Sequence, residues 1–328
     1  MANMNDVASL AGVSRGSVSN YINGRPNRPE IKHKIEQAIR DLNYIPNATA
    51  RALKTNRSNY VVFILPTVNT PFFSELSYFI QIELNKFGYK MILCNSNSNY
   101  QEEIEYIEMA NTQKVAGVIT MSYSDISELV APSIPLVAIE KKISNQFPTI
   151  VSDNYAGGHL GAEQLHKRGA KKLLFVSKAP IKDVSERRRQ GFIDYCQENN
   201  LRYDIMLAED KRDFSSDYDH FIDNHLINGK FQFDGVFSDT DEYASDFWHL
   251  LVKHQVLVPK DVQIIGFDAA KIYPRQPIFL SAIRQSTEKM AAIAVQKLLT
   301  QFKSEKIDKE NLITILPVSY TQGITTKS

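Results

Sequence analysis

The stretch GVSRGSVSNYING, residues 12–24, decides the first domain. Its apolar residues Val18 and Ile22 lie four positions apart, as they would on one face of a helix. The opposite face consists of Arg15, Gly16, Ser17, Ser19 and Asn20. A solvated helix face usually carries glutamate and lysine instead. This composition therefore indicates a helix surface that contacts another molecule, with a solvated face of poor helix propensity as the alternative.

Two further helices are predicted around this stretch. Asn3 followed by Asp6 forms a capping pair for a first helix, and residues 12–14 form a short turn into the second. A third helix is expected to begin near Pro29, with apolar residues at 3.6-residue spacing as far as Leu42. Three short helices, the first two joined by a turn that contains glycine, are typical of a helix-turn-helix bundle.

The second helix has the residue types that read DNA in the major groove. Arginine pairs with guanine, asparagine with adenine and serine with phosphate, while glycine lets the backbone approach closely. The charge distribution agrees, because residues 1–60 contain nine Lys or Arg against four Asp or Glu, whereas the remainder contains 29 against 33. A basic first segment on a mildly acidic body favours a polyanionic partner for that segment.

A second informative segment is LNYIPNATARALKTNRS, residues 42–58. Asn47 can cap a short helix of small residues in which Leu53 is the one large apolar side chain. A helix with so little to bury is marginal alone in water. This composition would suit a segment that becomes helical only on DNA and inserts Leu53 between base steps. A plain linker is the alternative. The predicted domains are a head at 1–45, a hinge and linker at 46–58, and a core at 59–328.

The motifs NDVASLAGVS, SVSNYING and YIPNATARAL resemble, in order and spacing, the DNA-binding head and hinge of the lactose-repressor/galactose-repressor (LacI/GalR) family. The resemblance implies that the residues reading bases are Arg15, Gly16 and Asn20. It implies that the residues contacting phosphates are Ser17, Ser19 and Asn23. It also implies a minor-groove wedge at Leu53, with Ala50 beside it.

After residue 59, short apolar runs alternate with amphipathic helical stretches. YVVFILP, YKMILCN and VAGVITM form one series, and KLLFVS, FDGVFSD and DVQIIGFD form a second. Strands that alternate with helices indicate parallel sheets, and two series indicate two doubly wound subdomains. The predicted fold class is therefore α/β, a small all-α head plus two such subdomains, with ligands expected at the carboxyl ends of the strands.

Polar residues stand at the ends of three predicted strands, namely Glu140, Asp241 and Asp268. The segment SERRRQGF adds arginines near the start of a helix. Carboxylates and an arginine in a cleft suit the hydroxyl groups of a sugar. A solvated helix face for the arginines and a turn cap at Asp268 are the alternatives.

Core segments such as ILPTVNTPFF, RRRQGF and IIGFD also resemble the same family, whose core is similar to periplasmic sugar-binding proteins. The resemblance implies effector contacts from Arg188, Asp268 and the pair Thr240 and Asp241. Phe72 and Phe73 are candidates for stacking on a sugar ring, with core packing as the alternative.

Several departures from the family pattern limit what carries over. Residues 17–20 read SVSN where relatives commonly have Thr-Val-Ser-Arg, so the operator sequence does not carry over. Arg28 stands at the usual serine cap of the third helix, so the cap is expected at Asn27. Thr70 and Thr240 replace common asparagines of the effector cleft, so the identity of the effector does not carry over.

These features predict a transcriptional repressor that binds pseudo-palindromic double-stranded operator DNA as a homodimer. A small carbohydrate or sugar-phosphate effector bound between the core subdomains would control its operator affinity. The alternative is a catabolite-control-type regulator whose DNA binding is enhanced by a corepressor or a partner protein. The sequence leaves open which sugar acts and in which direction.

Enzyme and membrane functions are not expected. The sequence has no GxSxG, HExxH, P-loop or GxGxxG motif, so no catalytic site, cofactor or metal is predicted. It has no signal peptide and no apolar run of roughly 18 residues. Cys94 and Cys196 stand alone, without metal spacing, which suits a reducing cytoplasm.

Overall fold

The structure, a computed structural model, describes residues 2–22, 24–45, 58–121, 124, 126, 128–181, 183–209, 214–271, 273, 275–302 and 312–328. The chain divides into two compact units, Met1–Ser58 and Asn59–Ser328. Across the described ranges, no helix is both long and apolar enough to cross a membrane.

The first unit, here called the head, is a bundle of three helices. They are α1, Met4–Ala11, α2, Arg15–Ile22, and α3, Pro29–Asp41. Val7, Val18 and Ile35, one from each helix, are completely buried in a shared core. The predicted helix-turn-helix bundle is therefore present, and Val18 is the completely buried residue of α2 in its core.

The starts of α1 and α3 test the two caps predicted for the head. The side chain of Asn3 accepts hydrogen bonds from the N–H groups of Asn5 and Asp6, and the Asp6 carboxylate accepts one from the Asn3 N–H, as predicted. The cap predicted at Asn27 is wrong. Arg28 holds that position without a side-chain bond, because the Asn27 amide instead donates across the bundle to a carbonyl oxygen of α2, at 3.1 Å.

The second unit, here called the core, contains two six-stranded sheets in the described residues. The strands of the first sheet are β1, Tyr60–Leu65, β2, Lys90–Asn95, β3, Gly117–Thr120, β4, Leu136–Ile139, β5, Thr149–Ser152, and β13, Ile313–Leu316. The strands of the second sheet are β6, Lys172–Lys178, β7, Arg202–Ala208, β10, Gly235–Ser238, β11, Gln263–Asp268, β12, Ser281–Arg284, and β14, Ser319–Thr321. A separate hairpin is made by β8, Leu226–Ile227, and β9, Lys230–Phe231.

Seven helices of the core lie in the described residues. They are α4, Pro71–Lys86, α5, Tyr100–Thr112, α6, Asn154–Lys167, α7, Asp183–Glu198, α8, Ser215–Asn224, α9, Asp241–Lys253, and α10, Thr287–Phe302. The first sheet has the order β13-β5-β4-β3-β1-β2 and is parallel throughout. The second has the order β14-β12-β11-β10-β6-β7 and is parallel except for β14. We call the two sheets with their helices the first and second lobes.

The chain passes between the lobes three times: after β5, after β12, and between β13 and β14. As a result, α10 follows a strand of the second lobe but packs against α4 of the first. The two doubly wound subdomains predicted from the sequence are present, but they are not two uninterrupted segments. Polar residues close to the points where the chain passes from one lobe to the other lie where the two lobes meet.

The β1 strand shows why the apolar runs lack alternation. Val61 and Phe63 pack into a cluster with side chains of α4 and α10, whereas Val62 and Ile64 pack on the opposite face with side chains of α5. All four are completely buried. A parallel strand covered by helices on both faces needs apolar residues at successive positions, and the run YVVFIL supplies them.

Candidate functional site

The α2 helix brings the predicted DNA-facing residues onto one surface. Arg15 and Gly16 are exposed, and Ser17, Ser19 and Asn20 are half-buried. The hydroxyl oxygens of Ser17 and of the preceding Ser14 lie 3.0 Å apart, so Ser17 takes part in the start of the helix. The predicted residues Asn23, Ala50 and Leu53 lie outside the described residues, and their contacts stay predictions.

Gly16 is a residue of this surface that the head itself does not require. Its backbone is not left-handed, and a Cβ atom there would meet the Ser14 hydroxyl at an ordinary distance of 3.5 Å. Glycine within a helix is less stable than alanine by about 1 kcal/mol. A close approach of another molecule to this turn would account for that cost.

A cavity of about 780 Å³ lies between the two lobes of the core. It is lined by every residue predicted for the effector site, namely Phe72, Phe73, Glu140, Arg188, Thr240, Asp241 and Asp268. The two phenylalanines begin α4, the arginine comes from α7, and the remaining four lie where β4, β10 and β11 end. The cavity is therefore at the carboxyl ends of the strands, where open α/β sheets bind ligands.

Phe72 and Phe73 pack in the core, which is the alternative given for them, and stacking on a sugar ring stays a prediction. Phe72 is 7% exposed and belongs to the apolar cluster of the first lobe, and Phe73 packs against that cluster. Their rings meet edge to face, with centroids 5.4 Å apart. They therefore serve the core and also give one wall of the cavity an apolar surface.

Arg188 is the buried cation of the cavity. Its Nε donates to Asn154 Oδ1 at 2.7 Å, and its Nη1 donates to the carbonyl oxygen of Asp239 at 2.6 Å. The guanidinium carbon stands 3.6 Å from the centroid of the Phe267 ring. Asn154 in turn donates to Glu140 Oε2 at 2.8 Å, so Arg188 is linked across to the first lobe.

A second polar chain crosses between the lobes at the ends of β11 and β12. Gln285 Nε2 donates to Asp268 Oδ1 at 2.6 Å, and Ser152 Oγ donates to Gln285 Oε1 at 2.5 Å. Ser152 belongs to the first lobe and Asp268 to the second. Glu140 and Asp268 have φ values of 64° and 122°, which are strained for residues other than glycine. Polar groups of the cavity are therefore held in place by hydrogen bonds, and two of them have a strained backbone.

The carboxyl groups of the second lobe are crowded. Burial raises the pKa of Asp268 to about 7, with the Arg188 charge acting against that rise. Burial and then the neighbouring Asp268 carboxylate raise the pKa of Asp241 well above its usual value. Burial also raises the pKa of Asp239, again opposed by Arg188. The crowding of Asp241 and Asp268 therefore disfavours the state in which both carboxyls are ionised.

Sequence reasoning missed several residues of the cavity. Asp239 directly follows β10 and Gln285 directly follows β12, so the rule applied to Glu140 and Asp268 would have found both. Asn154 is not a lining residue, and it was missed because it acts through its hydrogen bonds to Arg188 and Glu140. In the described residues, no group of three or more His, Cys, Asp or Glu side chains is placed to hold a metal ion.

Comparison with known proteins identifies the architecture. Residues 58–305 match the family model for periplasmic binding proteins and the sugar binding domain of the LacI family. Residues 3–47 match the model for bacterial regulatory proteins of the lacI family. The chain belongs to the LacI family. The predicted fold class and function class, a DNA-binding transcriptional repressor with a sugar-binding core, are thereby confirmed.

Individual LacI-family relatives match along nearly the whole chain. The sucrose operon repressor of Streptococcus mutans is 30% identical over 98% of this chain and 99% of its own length. The ribose operon repressor of Halalkalibacterium halodurans is 27% identical over 94% of this chain and 92% of its own. Both of these relatives are operon repressors.

Solved structures of LacI-family members share the fold. A periplasmic binding protein/LacI transcriptional regulator from Alkaliphilus metalliredigens, complexed with D-xylulofuranose, has a TM-score of 0.69 and 28% identity, over 83% of this chain and all of that one. A lac repressor dimer bound to operator and an anti-inducer has a TM-score of 0.83 over all of this chain and 99% of that one, at 21% identity.

Proposed function

We propose that this LacI-family repressor is a homodimer that reads a pseudo-palindromic operator and is controlled by a small carbohydrate bound in the inter-lobe cavity. One observation carries the proposal. Seven residues predicted as effector contacts, scattered over nearly 200 positions of sequence from Phe72 to Asp268, line a single cavity. A cavity of this size, with apolar walls and a few convergent polar groups, is typical of a site for a small ligand.

The proposed DNA contacts divide into two kinds. Arg15 and Asn20 read base edges, and Ser17 and Ser19 contact phosphates, while Gly16 permits close approach. Dimers of helix-turn-helix heads match half-sites about one helical turn apart, which gives the pseudo-palindrome. The wedge at Leu53 completes the proposal.

The proposed control acts through the polar chains that join the lobes. An effector that bonds to Arg188 and Asp268 touches both chains, and therefore favours one relative position of the lobes over another. A ligand shifts such an equilibrium by its difference in affinity for the two states. A coupling of about 1–3 kcal/mol, or roughly 5–150-fold in operator affinity, is sufficient for regulation.

Fluorescence anisotropy tests this proposal directly. The full chain is titrated onto labelled DNA from upstream of its own gene, at fixed salt, with and without a panel of sugars and sugar phosphates. Binding that one sugar releases supports an induced repressor, and binding that requires a ligand supports the corepressor alternative. No specific binding under any condition would reject DNA reading by this chain.

A matched pair of variants separates base reading from general charge. Arg15→Ala should flatten discrimination among operator variants by about 1–3 kcal/mol at one base pair. Lys34→Ala removes the same charge from an exposed position on α3 and should leave that discrimination intact. Equal weakening on every DNA sequence by Arg15→Ala would make Arg15 a phosphate contact instead.

A further inference from the structure

An ion pair joins the two lobes beside the inter-lobe cavity. Glu75 belongs to α4 of the first lobe, and Arg284 is the last residue of β12 in the second lobe. Arg284 Nη1 lies 2.7 Å from Glu75 Oε2, and Arg284 Nη2 donates to Glu75 Oε1 at 2.9 Å. Two nitrogens of the guanidinium therefore meet both oxygens of the carboxylate, a geometry that is stronger and more specific than a single contact.

This pair is largely shielded from water. The side chains of Glu75 and Arg284 are 11% and 26% exposed. A second ion pair between the lobes, Lys141 with Asp183, is longer at 3.4 Å, and its side chains are 27% and 42% exposed. Exposed ion pairs contribute little to stability, whereas removing one partner of a buried pair leaves an uncompensated charge. Of the two pairs, Glu75 with Arg284 therefore holds the lobes more firmly.

The pair stands at a point where the chain crosses between the lobes. The chain leaves β12 after Arg284 and begins α10 at Thr287, and α10 packs against α4 of the first lobe. The hydroxyl group of Thr287, a completely buried residue, donates to Glu75 Oε2 at 2.9 Å. Glu75 therefore binds the chain on both sides of the crossing, and a movement that takes β12 away from α4 must break its bonds to Arg284.

Arg284 also contacts a segment that lines the cavity. Its Nη1 donates to the carbonyl oxygen of Ala269 at 2.8 Å, and Ala269 is a lining residue. Ala269 follows Asp268, and both have a positive φ, which is uncommon for residues other than glycine. In the first lobe, the first turn of α4 contributes Phe72 and Phe73 to the same lining. The ion pair therefore connects cavity-lining segments of the two lobes.

We propose that the pair Glu75 and Arg284 is a latch that sets the relative position of the two lobes. While the pair is formed, β12 stays against α4, and without it the lobes populate a second position. The effect of the latch on DNA rests on the proposed function, in which lobe position controls operator affinity. The first lobe is the one that follows the head along the chain, since the head ends at Ser58 and β1 begins at Tyr60.

Distances between two spin labels, measured by double electron–electron resonance, report the lobe position without any effector. The labels are attached at Gln113→Cys and Lys171→Cys, exposed positions that precede β3 and β6 at the ends of the lobes away from the cavity. Burial raises the pKa of Cys94 to about 11 and that of Cys196 to about 12, so both stay unreactive thiols. An excess of unlabelled chain of the same variant is exchanged in, so that a dimer carries one labelled chain.

Glu75→Gln tests the latch, because it keeps the size of the side chain and removes its charge. The ratio of the two lobe positions should change by about tenfold or more, seen as a shifted or second distance population. Glu83→Gln is the matched control on the same helix, since Glu83 is 12% exposed and pairs with Lys86 inside α4. It should leave the parent distribution unchanged. An unchanged distribution in Glu75→Gln would overturn the proposal.

Substitution of the partner separates a latch from general damage to the core. Arg284→Lys keeps the charge but loses the two-pronged contact, so its shift should be smaller than that of Glu75→Gln. The double variant should shift no further than Glu75→Gln alone, whereas additive shifts would refute the pairing. Folding is checked by urea unfolding followed by the emission of Trp248, the single tryptophan, which lines the cavity and so also reports sugars bound there. If Glu75→Gln does not fold, the milder Arg284→Lys carries the test.

Operator binding then separates the latch from the proposed function. Each variant is titrated, without effector, onto labelled DNA from upstream of its own gene. Glu75→Gln should change operator affinity by about fivefold or more, and Glu83→Gln should not. A changed distance distribution with an unchanged operator affinity would support the latch and reject the control of DNA binding by lobe position.

Discussion

Replacing Asp268 with asparagine should make the core less sensitive to pH. The Asp268 carboxyl accepts a hydrogen bond from Gln285 at 2.6 Å, and asparagine keeps an oxygen that can accept the same bond. The two side chains are nearly the same in shape, so the main change is the loss of a titrating group. Burial raises the pKa of Asp268 from 3.8 to about 7, so its ionisation opposes folding near neutral pH.

The sign and size follow from linkage. Between about pH 4 and pH 7 the folded chain holds a proton on Asp268 that the unfolded chain has lost, so the free energy of unfolding falls as pH rises. Each unit of pKa shift corresponds to about 1.4 kcal/mol, which gives a ceiling near 4 kcal/mol for this group. Water in the cavity reduces that value, because Asp268 faces the open space. We therefore expect Asp268→Asn to gain roughly 1–3 kcal/mol over the parent chain at about pH 8.

Urea unfolding followed by Trp248 emission measures this effect in the core. The curves are recorded at about pH 5 and about pH 8, on either side of the raised pKa. The stability difference between Asp268→Asn and the parent chain should grow between the two pH values, whereas exposed Asp204→Asn should show no such growth. A constant difference would refute the raised pKa, and a variant that loses stability at about pH 8 would show that the Asp268 anion is stabilised.

Three further substitutions test the head, the helix contact beside the site and the hinge. Gly16→Ala should raise the stability of the head by up to about 1 kcal/mol, measured by thermal melting. It should also weaken operator binding, measured by anisotropy. Unchanged operator binding would refute the idea that DNA closely approaches Gly16. Gly158→Ala should destabilise the core in urea by about 3 kcal/mol or more, because its Cβ would lie 1.8 Å from the Arg188 carbonyl oxygen; a near-neutral result would refute the packing. Leu53→Ala should weaken operator binding and leave Trp248 responses to sugars intact, and equal operator affinity would exclude the wedge.

Much of the fold could be predicted because its elements follow local rules. The head helices are fixed by short-range caps and by apolar residues such as Val18 and Ile35, and β1 by an apolar run buried on both faces. The position of β13 could not be predicted in this way. Ile313 and Ile315 are 46% and 60% exposed, so their apolar pattern does not indicate which sheet they join. That choice depends on the chain crossing between lobes, which is a tertiary property.

The candidate site also has a part that local sequence rules predict and a part that depends on tertiary contacts. Glu140, Asp241 and Asp268 could be found because strand ends in parallel sheets are visible in the sequence. The bonds that hold them could not, since Asn154 reaches Arg188 on another helix more than thirty positions away, and Ser152 reaches Gln285 on the other lobe more than one hundred positions away. The wrong cap at Asn27 has the same cause, because its amide is used by a contact between helices rather than within one.

The glycines of AGGHLG, residues 156–161, show how close packing of two helices positions the side chain of Arg188. A Cβ at Gly158 of α6 would overlap the Arg188 carbonyl, and one at Gly191 of α7 would lie 2.1 Å from the Tyr155 carbonyl. The two helices therefore touch backbone to backbone, which larger residues would prevent. That contact fixes the position of α7 against α6. In this position the N–H groups of Arg188 reach Asn154 and the carbonyl oxygen of Asp239, which follows β10. The motif carries no ligand-binding group, yet the placement of the cavity's buried cation depends on it.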